Sequence, residues 1–228
     1  MSLVVPIPPD AENPDRARLR QIGNRVRDRL AEHPTAYKVP ADKAELWAIG
    51  DFLTDEECAR LMSLIDDVAR PSTSFGTPYS AGYRTSYSGD PDPYDPFVLR
   101  IQRRIDDLLG IDGDCGETVQ GQRYEPGQQF QNHTDWFPHG TPYWEQEKDR
   151  GGQRSITAMT FLNDVEAGGE TSFPRLGIAF TPKKRVLLLW NNADVEGRPN
   201  PFTIHSGLPV KSGVKYIITR WYRTRKWY

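Results

Sequence analysis

The chain has 228 residues, with 29 Lys and Arg against 31 Asp and Glu for a formal charge of -2, and is 37% hydrophobic and 11% aromatic. That composition supplies one sizeable core and is too aromatic for a disordered or collagen-like polymer. Near-neutral charge argues against a nucleic-acid binder, no apolar run reaches the roughly 20 residues of a membrane span, and Cys58 and Cys115 are too few for a disulfide framework or a cysteine zinc site.

Residues 1–45 read as an N-terminal helical extension. Met1-Ser2-Leu3-Val4-Val5-Pro6 lacks a basic stretch followed by a long apolar one, so no signal peptide is read and a cytoplasmic location is expected. Pro6, Pro8 and Pro9 open an irregular lead, and Asn13-Pro14 offers a helix cap with Pro at the first helical position. Leu19, Ile22, Val26 and Leu30 follow at helical spacing. Arg16, Arg18, Arg20, Arg25, Arg27 and Arg29 are interleaved with acids and read as a solvated face rather than a partner-binding strip. The helix covers a sheet edge or forms a dimer contact, so monomer and homodimer both stay open.

Residues 46–228 read as the main domain. Leu46-Trp47-Ala48-Ile49 is a short strand. Thr54 and Glu57 form a capping box ahead of the apolar stripe Cys58, Leu61, Leu64, Ile65 and Val68, which stops at Arg70-Pro71. Residues 71–95, rich in Ser, Gly, Pro and Tyr, read as a long functional loop. Asp95-Pro96 caps another helix carrying Phe97, Ile101, Ile105 and Leu108, and Gly110 ends it. Short strands follow at 117–124, 154–163, 177–181, 185–190, 203–206 and 213–223, giving a β-core over about 115–225. Helices first and many short strands afterwards predict an α+β chain whose second half is a sandwich or barrel.

The chemistry concentrates on few residues. On an extended segment His133 and Asp135, two apart, point to one face. Two histidines and one carboxylate on one side of an ion make the facial set of non-haem Fe(II) oxygenases, and His205 on a later strand is the natural third ligand. A lone strand histidine held by a hydrogen bond is the ordinary alternative for His205. Asn132-His133-Thr134 also matches a glycosylation sequon, read as coincidental. Lys215 shares a strand face with Ile217, Thr219 and Trp221 and needs an anionic partner, either a cosubstrate or Asp164 or Glu170 at a barrel rim. Tyr124 and Thr157 are placed to add hydroxyl hydrogen bonds.

Several motifs in order resemble the prolyl 4-hydroxylases, a family of Fe(II)- and 2-oxoglutarate-dependent dioxygenases. They are Arg123-Tyr124-Glu125-Pro126-Gly127-Gln128-Gln129-Phe130 with His133-Thr134-Asp135-Trp136-Phe137, then Gly152-Gln153-Arg154, Phe161-Leu162-Asn163-Asp164-Val165 and Gly168-Gly169-Glu170-Thr171-Ser172-Phe173-Pro174. The closing His205-Ser206-Gly207-Leu208-Pro209-Val210, Gly213-Val214-Lys215 and Thr219-Arg220-Trp221 match too. So do Phe52-Leu53-Thr54-Asp55-Glu56-Glu57-Cys58 and Arg84-Thr85-Ser86, so the resemblance covers roughly residues 46–223.

The resemblance implies a double-stranded β-helix (jelly-roll) core with N-terminal helices packed on the major sheet. It implies His133, Asp135 and His205 as Fe(II) ligands and Lys215 on the distal carboxylate of 2-oxoglutarate, helped by Tyr124 and Thr157. O2 is the second cosubstrate and ascorbate a reductant. Arg154 and Trp221 match positions near the peptide groove of family members, and Tyr83 and Arg84 of the loop 71–95 are the further substrate-side candidates. The expected reaction hydroxylates an unactivated C–H, C4 of prolyl residues in a protein or peptide, with decarboxylation of 2-oxoglutarate to succinate. Asp135 favours hydroxylation, since related halogenases lack this carboxylate. A free amino acid or small-molecule substrate, and a catalytically silent jelly-roll, are the alternatives. Tyr79, Tyr83, Tyr87 and Tyr94 with Arg84 suit the extended helix of Pro-rich peptides. Trp136 where a Tyr is frequent, no tryptophan soon after Ser86, and the distinctive stretch from His139 to Asp149 depart from the family on the substrate side. Arg220, Arg223, Arg225 and Lys226 read as a solvated strand end, or as contacts to an acidic substrate.

Overall fold

In this computed structural model, which describes residues 15–72 and 82–228, strand alternation divides the core into two layers. The expected cap at Asn13-Pro14 and Tyr79 of the aromatic loop lie outside the described residues. Helix α1 (Arg16–Glu32) precedes β1 (Ala36–Lys38) and β2 (Leu46–Ile49). Then come α2 (Asp55–Val68), β3 (Arg70–Pro71), β4 (Tyr87–Gly89) and α3 (Pro96–Leu109). The remainder holds β5 (Gln120–Tyr124), β6 (Phe130–His133), α4 (Pro142–Glu147), β7 (Arg154–Phe161), β8 (Ala167–Gly168) and β9 (Thr171–Phe173). It closes with β10 (Ile178–Phe180), β11 (Leu187–Asn191), β12 (His205–Gly207), β13 (Val210–Ser212) and β14 (Lys215–Arg223).

The strands form an eight-stranded antiparallel sheet, β1-β2-β11-β7-β14-β5-β4-β3, facing a four-stranded one, β10-β9-β12-β6, with β8 and β13 paired separately. This is the jelly-roll expected from the sequence. Residues i and i+2 of a strand share a face. On the major sheet Ile156, Ala158, Leu187, Leu189, Ile218 and Tyr222 therefore turn to one layer, where they meet the apolar faces of all three long helices. The alternate residues Met159, Phe161, Leu188, Trp190 and Ile217 turn inward and pack with Phe173 and Val210. Each large side chain so buried contributes about 1.5–3 kcal/mol.

Local chemistry explains the helix ends. Thr54 Oγ1 accepts from Glu57 N at 3.2 Å while Glu57 Oε2 accepts from Thr54 N at 3.0 Å, the capping box read from the sequence. Asp95 accepts from Phe97 N and Val98 N, and Gly110 ends α3 at φ +64, which a side chain rarely adopts. Thr54→Ala should therefore cost about 1 kcal/mol in chemical denaturation with the slope unchanged; an unaltered midpoint would show that the cap contributes nothing.

The extension is stitched into the rest of the chain. β1 pairs with β2, and Ile22, Val26 and Leu30 of α1 join the same core as α2 and α3. Arg18, Arg20, Arg25 and Arg29 of α1 lie on the exposed face expected for them, and several of the α1 arginines also tie the helix to its neighbours. Arg29 donates to Asp107 O and Leu108 O and Arg25 to Gly110 O at the end of α3, while Arg27 pairs with Glu45. Guanidinium groups there satisfy the carbonyls that a helix C-terminus leaves open. Two differences concern a single residue and one short element: Val68 is exposed, and the stretch from His139 to Asp149 holds the helix α4 in a half read as all strands. Among the described residues no helix is long and apolar enough to cross a membrane.

Candidate active site

Strand pairing brings the two histidines together. β6 and β12 are antiparallel neighbours, and His133 sits directly opposite His205 with ring centroids 4.2 Å apart. Phe130 stacks on His133 at 3.6 Å, and Trp190 packs edge-on to His205 at 4.9 Å, so both rings are held in place. His133 Nδ1 bonds Gln131 O at 2.8 Å and His205 Nδ1 bonds Thr203 O at 3.0 Å. Each ring thereby donates through Nδ1 and keeps Nε2 as an acceptor, the tautomer a metal needs.

Asp135 arrives differently from the extended segment assumed in the sequence reading. β6 ends at His133, and Asp135 lies in a bend two residues on. Its Oδ2 lies 3.8 Å from His205 Nε2, and one ligand atom from each of His133, Asp135 and His205 falls within 4.8 Å of the others. Burial alone would raise the Asp135 pKa, but His205, Arg154 and His133 more than offset it and hold it below the usual carboxylate range. His133 is pushed down to about 3, first by withdrawal from water and then by His205. A carboxylate held in its charged form beside two imidazoles that each engage a carbonyl through Nδ1 and leave Nε2 for the ion is a donor set that fits a divalent iron.

The three residues open into a cavity of about 740 Å3 that Lys215, Tyr124, Tyr83, Arg84, Arg154 and Trp221 also line. Alternation places Lys215, Ile217, Thr219 and Trp221 on its wall, as the sequence predicted for β14. Lys215 is 1% exposed. Its Nζ meets only Thr171 Oγ1 at 3.4 Å and the ring faces of Tyr124 and Phe161, with no carboxylate in ion-pair reach among the described residues. Asp164 pairs instead with Lys183, which removes it as the rim partner, and Glu170 only opposes the dominant effect of burial. That burial pushes the Lys215 ammonium down to about 7. A carboxylate-bearing ligand entering this wall would restore the charge.

Other expected residues divide sharply. Tyr124 is buried beneath Lys215 and donates to Gln122 Oε1 at 2.6 Å. Thr157, expected to help hold the cosubstrate, does not line the cavity and instead donates to Asp135 Oδ2 at 2.7 Å. Thr157 pairs in register with Trp221, while Phe161 pairs with Ile217, so Thr157 lies far down the strands from Lys215. The hydroxyl that meets Lys215 belongs instead to Thr171 of the Gly168–Pro174 motif, a residue type too common in strands to stand out from sequence. Gly168, at the end of β8, and Gly169 after it take φ of +76 and +74, a conformation that side chains rarely adopt.

On the mouth side, Arg84 stacks over Phe130 and bonds Ser88 and Gln120, and Tyr83 donates to Asn132 O at 2.9 Å. Arg154 clasps Glu117 through two bonds of 2.6 and 2.7 Å and lies 4.0 Å over the Trp221 ring. Glu117, unforeseen, also accepts from Arg223, which reaches Glu147 of α4 as well. Arg223 is thus a buried tie and Arg220, on the opposite face of β14, bonds Gln102 and Asp106 of α3. Both are withdrawn from solvent, unlike a terminal cation, and Arg223 also lines the cavity. The cause is the period of two along β14.

Comparison with known proteins agrees with this geometry. Residues 119–223 match the 2OG-Fe(II) oxygenase superfamily. Probable prolyl 4-hydroxylase 8 of Arabidopsis thaliana is 32% identical over 206 residues, covering 78% of this chain and 68% of that protein.

The chain belongs to the prolyl 4-hydroxylase family.

Prolyl 4-hydroxylase subunit alpha-1 of Rattus norvegicus is likewise 32% identical over 193 residues, covering 81% of this chain, which spans only 35% of that subunit. Among solved prolyl hydroxylases, the viral collagen prolyl hydroxylase of Paramecium Bursaria Chlorella virus-1, in its 2OG complex, superposes with a TM-score of 0.61 at 30% identity. That alignment covers 77% of this chain and 94% of the viral one. Its jelly-roll is the prolyl 4-hydroxylase fold described above, and the spacing of His133, Asp135 and His205 falls within the matched region.

Proposed function

We propose that this prolyl 4-hydroxylase relative is an Fe(II)- and 2-oxoglutarate-dependent dioxygenase that hydroxylates C4 of prolyl residues in a protein or peptide. One observation carries the reading: a two-histidine, one-carboxylate cluster opens into the same cavity as a buried lysine without a carboxylate partner among the described residues. Bound Fe(II) and 2-oxoglutarate would supply the oxidising chemistry, in which O2 yields one oxygen atom to the substrate C–H and one to succinate, with loss of carbon dioxide.

The protein's own residues do the rest. His133, Asp135 and His205 would hold the metal, and Lys215 with Thr171 would hold the far carboxylate of the cosubstrate. Phe130, Phe173 and Trp190 wall the histidines in apolar surface and keep water from the reacting carbon. Arg154 on Trp221, with Tyr83 and Arg84 across the mouth, would position the chain of the substrate. Trp221 Nε1 is buried without an acceptor among the described residues, a donor suited to a peptide carbonyl. The cavity of about 740 Å3 exceeds what 2-oxoglutarate alone requires.

Succinate release should rise with Pro-rich peptides and stay at background with free proline. Stimulation by free proline or another small amino acid alone would eliminate the peptide reading while leaving the dioxygenase in place.

A further inference from the structure

Thr157 stands between two groups behind the cavity lining. Its side chain is fully buried, outside the cavity wall, with Oγ1 2.7 Å from Asp135 Oδ2 and 2.9 Å from Asn192 Nδ2. A hydroxyl carries one proton, and an ionised carboxylate carries none. For both contacts to be hydrogen bonds, the Thr157 proton points at Asp135 and Asn192 presents its NH2. The amide thus sets the direction of the hydroxyl, which becomes an obligatory donor.

Asn192 is itself well anchored. It follows β11, in which Trp190 pairs with Thr157, and its backbone N donates to Ser155 O while its carbonyl accepts from Asn200 N. Its Oδ1 has no partner, so the bond to Thr157 is the side chain's one hydrogen bond among the described residues. His133 and His205 each have an outer hydrogen bond through Nδ1, and both sit within paired strands. Asp135 lies in a bend past the strand end and lacks that ladder. A carboxylate there has two side-chain torsions to lose, and the Thr157 hydroxyl is what fixes its plane.

We propose that Thr157 and Asn192 are positioning residues for the metal: the Asn192 amide turns the Thr157 hydroxyl onto Asp135, and that bond holds the carboxylate where it converges with the two imidazoles. The inference rests on the metal-centre reading above, and the experiment separates the two. The full chain is titrated anaerobically with Co(II) alone, whose visible bands report coordination geometry, and the metal-induced rise in Tm gives an independent measure of affinity. Thr157→Val keeps the shape and removes the proton. It should weaken Co(II) binding by about 10–100-fold and change the band pattern. Thr157→Ser keeps the proton and should stay near wild type. Asn192→Asp replaces the donor by an acceptor that competes for the same proton, so it should resemble Thr157→Val. It also carries the test if Thr157→Val does not fold. Wild-type affinity and bands in both Thr157→Val and Asn192→Asp, or a serine variant as impaired as the valine one, overturn the positioning role alone. A wild-type protein that takes up no Co(II) overturns the metal centre and this inference together.

Discussion

Asp135→Ala is expected to remove the metal site while leaving the fold intact. The two imidazoles face each other at 4.2 Å in a strand pair that does not depend on the carboxylate, so the variant retains two nitrogen donors and loses the one negative charge. Divalent metal affinity should fall by more than about a hundredfold, beyond what loss of an outer-sphere partner costs. Metal-free stability should fall, but by less than about 2 kcal/mol, because the variant loses one hydrogen bond to Thr157 and the attraction of the neighbouring cationic groups that holds the carboxyl ionised. Adding Fe(II) and then 2-oxoglutarate without oxygen should give the weak visible charge-transfer band of the chelate in wild type and none in Asp135→Ala. A variant that still forms the band would remove Asp135 from the ligand set.

Lys215→Met should act in opposite directions on stability and on cosubstrate binding. The ammonium is 1% exposed and its pKa is pushed down to about 7 by burial, so the charged form is costly in the empty protein. With an unfolded value of 10.5 and a folded value of about 7, the unfolded chain binds more protons between those pH values. Stability therefore rises with pH across that window, and the penalty is fully present below about pH 7. Methionine removes it, so the variant should gain on the order of 1–3 kcal/mol at pH 6 in the metal-free state, with little gain above pH 10. The same change deletes the charge partner proposed for the cosubstrate and should raise the 2-oxoglutarate dissociation constant about a hundredfold, roughly 3 kcal/mol.

In wild type the cosubstrate should bind with proton uptake. Above about pH 7 Lys215 is neutral in the empty cavity and must be charged when the carboxylate arrives, so affinity should fall close to tenfold per pH unit. Calorimetry at pH 8.5 in two buffers of different ionisation enthalpy should report about one proton taken up per 2-oxoglutarate. An unchanged 2-oxoglutarate requirement in Lys215→Met, or no proton uptake, would assign the carboxylate to another cation. Arg220 is poorly placed for that, being turned toward α3.

The helical half of the chain was readable because its signals are local. Thr54 with Glu57, and Asp95 with Gly110, each satisfy backbone groups within a few residues, and the boundaries of α2 and α3 follow. Strands β6 and β9, four and three residues long, escaped notice because Phe-Gln-Asn-His and Thr-Ser-Phe carry too little alternation to stand out. Yet β6 supplies His133 and β9 supplies Thr171, so the weakest sequence signals lie under parts of the site. The identity of the ligand trio came from motif order. Its convergence depends on the register of β6 against β12.

The sequence by itself determined the residue types that can do this chemistry, the strand face shared by Lys215, Ile217, Thr219 and Trp221, and the caps that end the helices, since all of these depend on neighbours along the chain. Tertiary structure alone decided the partners of Thr157, Glu117, Arg220 and Arg223. Hydrogen bonds between residues 22 to 118 positions apart are set by sheet register and layer packing, which leave no mark in a local window. For the same reason a threonine expected beside the cosubstrate bonds Asp135 of the candidate metal site, and two arginines expected in solvent are locked inside the fold.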